Sequence, residues 1–216
     1  EYGSFKGAPK FPQFYMFDAI FYFYLKTNNQ KYLEPVEKLL FNISSKGIYD
    51  QLVGGIARYA VDEKWVVPHF EKMLYDNIQY INLLTKFYQK TKNDYYKKKL
   101  IQTISFINKE FKNNENLYGS AYDADSEGIE GKYYVWPYDE LKKILENDFG
   151  LFEKKYEISN KGNFEGNNIL VESKNQLSKE EQNKIAEIEE KLIQKRKKRV
   201  KPFFDDKSQT DLNAFI

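Results

Sequence analysis

Two neighbouring stretches of this chain carry apolar residues at three- and four-residue steps, and only Thr27-Asn28-Asn29 separates them. Phe14, Phe17, Ile20, Phe21, Tyr24 and Leu25 fall on one face of a helix, and Leu33, Val36, Leu39, Leu40 and Ile43 on one face of the next. A stripe of that period is stable only when it is buried against another element. The spacing therefore predicts a helical hairpin, with Pro35 tolerated in the second helix's first turn and Gly47 marking its end. A second hairpin follows. Pro68 suits the first position of a helix reaching about Gln89, and Asn93 or Asp94 caps another to about Phe111. Short helices at 137–146 and 149–156 and a long, charged one at 179–199 complete a mainly α reading.

Between these helices the period fails. Gly54-Gly55 interrupts it, and Ile56, Arg58, Tyr59, Val61, Trp65 and Val67 favour extended structure around an Asp62-Glu63-Lys64 turn. A long loop with a short β-hairpin is expected there. Residues 117–136 lose the pattern again, with Lys132-Tyr133-Tyr134-Val135-Trp136 read as part of a strand pair, and 162–168 form a polar loop. Long loops that are not low-complexity are where function concentrates.

Composition excludes several chemistries. There are 34 Lys+Arg against 32 Asp+Glu, a near-balance unlike that of a general polyanion binder. Cysteine is absent, which removes disulfides, thiol nucleophiles and thiolate metal sites, and the single histidine, His69, leaves too few soft ligands for a zinc site. No metal and no cofactor is expected. The chain has no apolar run long enough to span a bilayer and no signal peptide, so a cytoplasmic segment excised from a longer protein is expected. Tyr and Phe number 18 and 17, enough to line a wide aromatic cleft as well as a core.

The densest segments for chemistry are 50–59 and 65–77. Placed in the first turn of a helix, His69 would face the positive end of the dipole and stay neutral at pH 7. Asp76 would lie two turns along, and Glu71 and Tyr75 form an i, i+4 pair. The reading is a pocket wall with His69 as base or hydrogen-bond partner; the alternative is a buried polar network fixing a loop to a helix. Asp123-Ala124-Asp125-Ser126-Glu127-Gly128-Ile129-Glu130 only loosely matches a calcium loop, because the closing carboxylate would fall on Tyr134. What remains is a cluster of carboxylates beside Tyr and Trp, the residue types that move protons on sugars and pack on their rings. Asn163 and Glu165 sit on a glycine-hinged turn. The basic run 191–201 reads as a solvated face paired with Glu187, Glu189 and Glu190.

Several stretches together are specific to one family: Gly7-Ala8-Pro9-Lys10-Phe11-Pro12, Gly54-Gly55 with Arg58-Tyr59, and Val67-Pro68-His69-Phe70-Glu71-Lys72-Met73-Leu74-Tyr75-Asp76-Asn77. Asp123-Ala124-Asp125-Ser126-Glu127, Glu130-Gly131-Lys132, Val135-Trp136, Gly162-Asn163-Phe164-Glu165-Gly166, Arg196, Arg199, Pro202 and Asp205-Asp206-Lys207 continue it in order. The chain resembles the thioredoxin domain-containing family of YyaL and spermatogenesis-associated protein 20 type. Leu212 stands where that family usually has tryptophan, and Ser4-Phe5 where it has a Gly-Gly-Phe-like motif. The resemblance implies a thioredoxin-like domain followed by a six-hairpin, (α/α)6 toroid of glycosidase and epimerase type. Residues 1–216 would form a single partial toroid, with the thioredoxin-like domain and the second half of the ring outside it.

The expected function is thus a sugar-processing or sugar-binding (α/α) toroid whose loops at 48–69, 120–136 and 162–168 meet over a cleft. His69, Asp123, Asp125 and Glu127 would be catalytic. Arg58, Tyr59, Trp65, Glu71, Tyr75, Asp76, Trp136, Asn163 and Glu165 would bind a small-molecule substrate, Trp65, Tyr75 and Trp136 by stacking and Arg58 as an anion clamp. The rival is a non-enzymatic scaffold partnered with the thioredoxin-like domain of the same protein. Neither a nucleic acid nor a membrane is an expected partner.

Overall fold

In the computed structural model, which describes residues 2–216, α1 (Phe14–Thr27) and α2 (Gln30–Ser45) fold back on each other through two asparagines. Asn28 turns left-handed at φ 51 and its N–H donates to Tyr24 O, ending α1, while the Asn29 side chain accepts from Lys31 N and starts α2. The turn between α3 (Leu74–Thr91) and α4 (Asp94–Phe106) repeats the device with Lys92 at φ 54 and Asn93 accepting from Tyr95 N. A π-helical turn, Ile107–Phe111, carries α4 on to the expected end. The two hairpins share one core, in which Phe17, Phe21, Leu39 and Leu40 meet Leu83, Leu84 and Phe87.

A third helical group follows. α5 (Tyr138–Leu145), α6 (Phe149–Lys155) and α7 (Lys179–Arg196) close around Trp136, Leu141, Phe152, Ile188 and Leu192. Ser178 and Glu181 form a capping box at the start of α7. The strands are short and lie in the loops: β1 (Lys72–Met73), β2 (Ala121–Tyr122) and β5 (Phe204–Asp205) make an antiparallel sheet in the order β1-β2-β5, and β3 (Asp125–Ser126) pairs with β4 (Ile129–Glu130). A short α8 (Thr210–Phe215) follows. The mainly α class with short β-hairpins in the loops is as expected.

Two elements differ from the sequence reading. The third helix starts at Leu74 rather than Pro68, because 68–71 is extended and pairs with 58–60: Arg58 N donates to Glu71 O, His69 N to Tyr59 O, and Pro68 bridges Ala60. Proline fits a strand edge as well as a first helical turn, since neither position needs its N–H. Residues 132–135 are a turn, with Tyr134 N donating to Gly131 O, and not a strand; the hairpin lies earlier, in the acidic stretch. There Glu127 and Gly128, both at positive φ (54 and 73), are the central residues of the two-residue turn that suits a twisted hairpin.

A buried charge cluster ties these groups together. Asp50 accepts from Lys72 Nζ at 2.9 Å and meets Arg196 Nη1 at 3.1 Å and Nη2 at 3.0 Å, with all three side chains at most 6% exposed. The loop after α2, strand β1 and the end of α7 are joined at one carboxylate. The Arg196 and Lys72 charges hold the Asp50 carboxyl well below its usual range, against the burial that alone would raise it. A second, largely covered carboxylate, Glu172, accepts from Lys99, Lys155 and the Tyr95 hydroxyl, each at 3.0 Å. Burial pushes Lys99 down to about 8 despite Glu172.

Removing one partner of a buried ion group leaves an uncompensated charge. Asp50→Asn is therefore expected to cost about 3–5 kcal/mol in urea unfolding, whereas Lys207→Gln, at an exposed pair, should stay within about 0.5 kcal/mol. Because the folded carboxyl is depressed, its stabilisation is complete above the unfolded value near 4 and is lost as pH falls below it. Asp50→Asn should accordingly flatten the acid limb of the stability curve.

Candidate functional site

The three long loops meet in a small apolar cluster. Phe70, Ala124, Val135 and Ile169 form it, with Val67, Tyr134 and Phe164 packed around them. Phe70 stacks on Tyr134 with ring centroids 5.6 Å apart and meets the edge of Phe164 at 5.4 Å. Gly131 makes this approach possible: it sits at φ 72, and a Cβ there would lie 2.4 Å from the Phe70 ring. Beside the cluster opens a cleft of about 500 Å³, walled by Glu127, Glu130, Phe164, Glu165, Glu140 and Arg199.

His69 stands in the extended segment before β1, so the helix dipole expected behind it is not there. Its ring stacks on Tyr59 at 4.9 Å, and Phe11 covers Tyr59 at 4.8 Å. Nδ1 lies 2.8 Å from Glu130 Oε1, in a pair whose side chains are 33% and 43% exposed. With Nδ1 held by a carboxylate, Nε2 is the ring nitrogen left for a ligand. The acid that meets His69 is the last one of the acidic stretch. Asp123 folds back to accept from Ala124 N at 2.7 Å, and Glu127 pairs with Lys132 at 2.9 Å. Asp125 is the hairpin partner of Glu130, and directly opposed residues share a face, so these two carboxylates are neighbours.

Arg58, Glu71, Tyr75 and Asp76 form a second group. Arg58 Nη1 is 3.1 Å from Glu71 Oε2, and the Tyr75 hydroxyl also reaches Arg58. Asp76 sits in the first turn of α3 with Oδ2 buried and unpartnered. Loss of water pushes its carboxyl up to about 7; Arg58 opposes that rise and Glu71 adds to it. The helix N-terminus favours the anion by about 2 kcal/mol at most. A shift from 3.8 to about 7 corresponds to roughly 4 kcal/mol, so burial wins.

Other expected site residues are placed elsewhere. Trp65 and Trp136 are both fully buried and present no face to a ligand. Trp65 Nε1 donates to Tyr2 O, and the Arg199 guanidinium covers Trp136 at 4.0 Å. Their apolar area was needed to close the core between loop and helix. Asn163 is a loop staple, accepting from Ile169 N and donating to Ile169 O, while Glu165 stands exposed at the tip of its turn at φ 46. Sequence reasoning missed Glu130, Asp50, Lys72 and Arg196 as interacting groups. Arg196 lay hidden in a basic run read as a solvated face, yet it is 3% exposed, and its neighbours pair outside α7: Lys191 with Asp148, Arg199 with Glu140, Lys201 with Glu110.

No family model matches the chain. Mouse spermatogenesis-associated protein 20 is 31% identical over 155 residues, 67% of this chain and 20% of its own length. The human protein of that name is 30% identical over 155 residues with the same shares, and the rat one 27% identical over 256 residues, covering 100% of this chain and 32% of its own length. The chain thus spans about a fifth to a third of the curated relatives it matches. Among solved structures, a family 76 glycoside hydrolase from a bovine Bacteroides thetaiotaomicron strain aligns with TM-score 0.46 and 20% identity over 53% of this chain and 24% of that one.

The Asp76 geometry has a thermodynamic signature. Its folded carboxyl binds a proton that the unfolded chain has released, so stability falls as pH rises from about 4 to 7 and levels off above. Urea unfolding of Asp76→Asn should show a stability advantage over wild type that grows across that window. A constant difference between the two proteins would contradict the assignment.

Proposed function

From a chain that belongs to the spermatogenesis-associated protein 20 family, we infer a loop-bearing part of a helical domain that binds a carbohydrate and acts on it by proton transfer. The observation that carries this reading is Asp76, a half-buried carboxyl with Oδ2 buried and unpartnered, poised near neutrality beside the Arg58–Glu71 pair. A group half-protonated at pH 7 serves equally as acid and base. Arg58 is suited to hold substrate oxygens through its N–H donors, and the His69–Glu130 pair offers a second proton-transfer group in the same loop system. Exposed carboxylates of the cleft, Glu165 and Glu127 among them, supply acceptors for hydroxyl groups.

Two packed helical hairpins with functional loops between them support a partial (α/α) toroid, completed by chain outside these residues. The partner is then a small carbohydrate together with the thioredoxin-like domain of the same protein, in a cytoplasmic setting. No helix among the described residues is long and apolar enough to cross a membrane. The basic run around α7 offers little to nucleic acid, since Lys191, Arg199 and Lys201 are paired and Arg196 is buried. One observation favours the scaffold alternative: Trp65, Trp136 and Asn163, all candidate ligand contacts, lock loops in place.

A thermal melt of the intact protein against a panel of neutral and N-acyl sugars separates the two. A ligand at about 100 times its dissociation constant stabilises by roughly 2.7 kcal/mol. A shift in wild type that is lost in both Arg58→Gln and Asp76→Asn is the expected result. No shift with any sugar would leave the scaffold reading.

A further inference from the structure

Between α4 and α7 the surface carries a groove of about 730 Å³. None of Arg58, His69 and Asp76 lines it, and it shares no lining residue with the cleft beside Phe164. Its floor is apolar. Leu52 and Ile193 belong to the core of α5, α6 and α7, Phe106 belongs to the core beneath the small sheet, and Val53 packs against both, so the floor is the seam between two cores. Ile101 of α4, 58% exposed, lines it as well. We propose that this groove docks an acidic, amphipathic helical segment of a partner protein.

Charge selects the sign of the partner. Lys97, Lys98, Lys109 and Lys197 line the groove, all four exposed, and none forms an ion pair among the described residues. Three carboxylates stand with them. Glu110 is already taken, held at 2.7 Å by Lys201, which is not part of the lining. Asp94 and Glu190 then face four cations, an excess of two positive charges. An acidic partner gains in approach rate and in register from such a field, and its apolar residues gain by covering the seam.

Length selects a polymer over a small molecule. Lys97 and Lys109 are twelve positions apart along α4 and the π-helical turn that extends it, about 18 Å at the rise of a helix. A single anionic group would meet one end of that row. A helical segment of similar length covers all of it, and its diameter of about 10 Å suits a trough walled by two helices. Its apolar residues at i, i+3, i+4 and i+7 would enter the floor while carboxylates on its flanks meet the lysines. The apolar floor also favours a peptide over a nucleic acid, whose affinity comes from phosphate charge.

Fluorescence anisotropy of the intact protein with a labelled synthetic helix, leucine at those four positions and glutamate on the flanks, tests this. The peptide should bind, and a scrambled peptide of the same composition, whose leucines share no face, should bind about tenfold more weakly. The double variant Lys97→Glu, Lys109→Glu should weaken binding by about tenfold and flatten its dependence on salt. Ile101→Asn, a change at an exposed position, should weaken it about fivefold. Lys38→Glu, exposed on α2, should leave it unchanged. An oligonucleotide that binds as tightly as the peptide, with no effect of Ile101→Asn, would identify a general polyanion surface instead. Self-association of the protein without peptide, lost in the same variants, would assign the groove to a second copy of the chain. Either of those results, no binding of the peptide, or full affinity in the double variant would overturn the proposal.

Discussion

Asp50 is the point on which the loops of this protein hang. Its carboxylate joins the segment after α2, strand β1 and the last turn of α7. Arg196, fixed by Asp50, lies over Tyr133 and Tyr134; Tyr134 stacks on Phe70; and Phe70 packs against Phe164 and the bare face of Gly131. A single buried ion group is thus the start of a contact sequence that ends at the loop cluster beside the cleft. Apolar residues of the same shape often stabilise as well as a buried ion pair does, so the geometry points to a role in orientation. Asp50 accepts from donors in fixed directions, and apolar packing alone would not fix them.

The helical hairpins were legible in the sequence because their signals are local and redundant. Apolar spacing, an asparagine cap and a left-handed residue at the end of the first helix all agree within a few positions of each turn. Pro68 misled because its missing N–H suits a helix start and a strand edge equally; what decided between them was pairing with residues 58–60, which no local signal reports. The acidic stretch was recognisable as chemically dense, but its folding into a two-residue hairpin selects Glu130, rather than Asp123 or Glu127, as the partner of His69.

Burial was the quantity hardest to read. Trp65 and Trp136 carry the residue type expected of a sugar platform, yet both are fully buried. Arg196 has the opposite history, a basic residue in a charged helix whose side chain lies in the interior. In both cases side-chain chemistry was visible and the direction in which it points was not, because direction depends on how α7 and the loops pack together. Asp76 illustrates the same limit: its position in the first turn of α3 favours a charged carboxylate, and only the surrounding burial reverses that preference.

The central claim is that the buried Asp50 group holds the loops in place, and hydrogen exchange in Asp50→Asn tests it most directly. The Arg58 and His69 amides, which bond to Glu71 O and Tyr59 O, and the Tyr134 amide, which bonds to Gly131 O, should exchange much faster than in wild type. The α1–α2 hairpin should keep its protection. Loop amides that exchange at the wild-type rate in this variant would contradict the account.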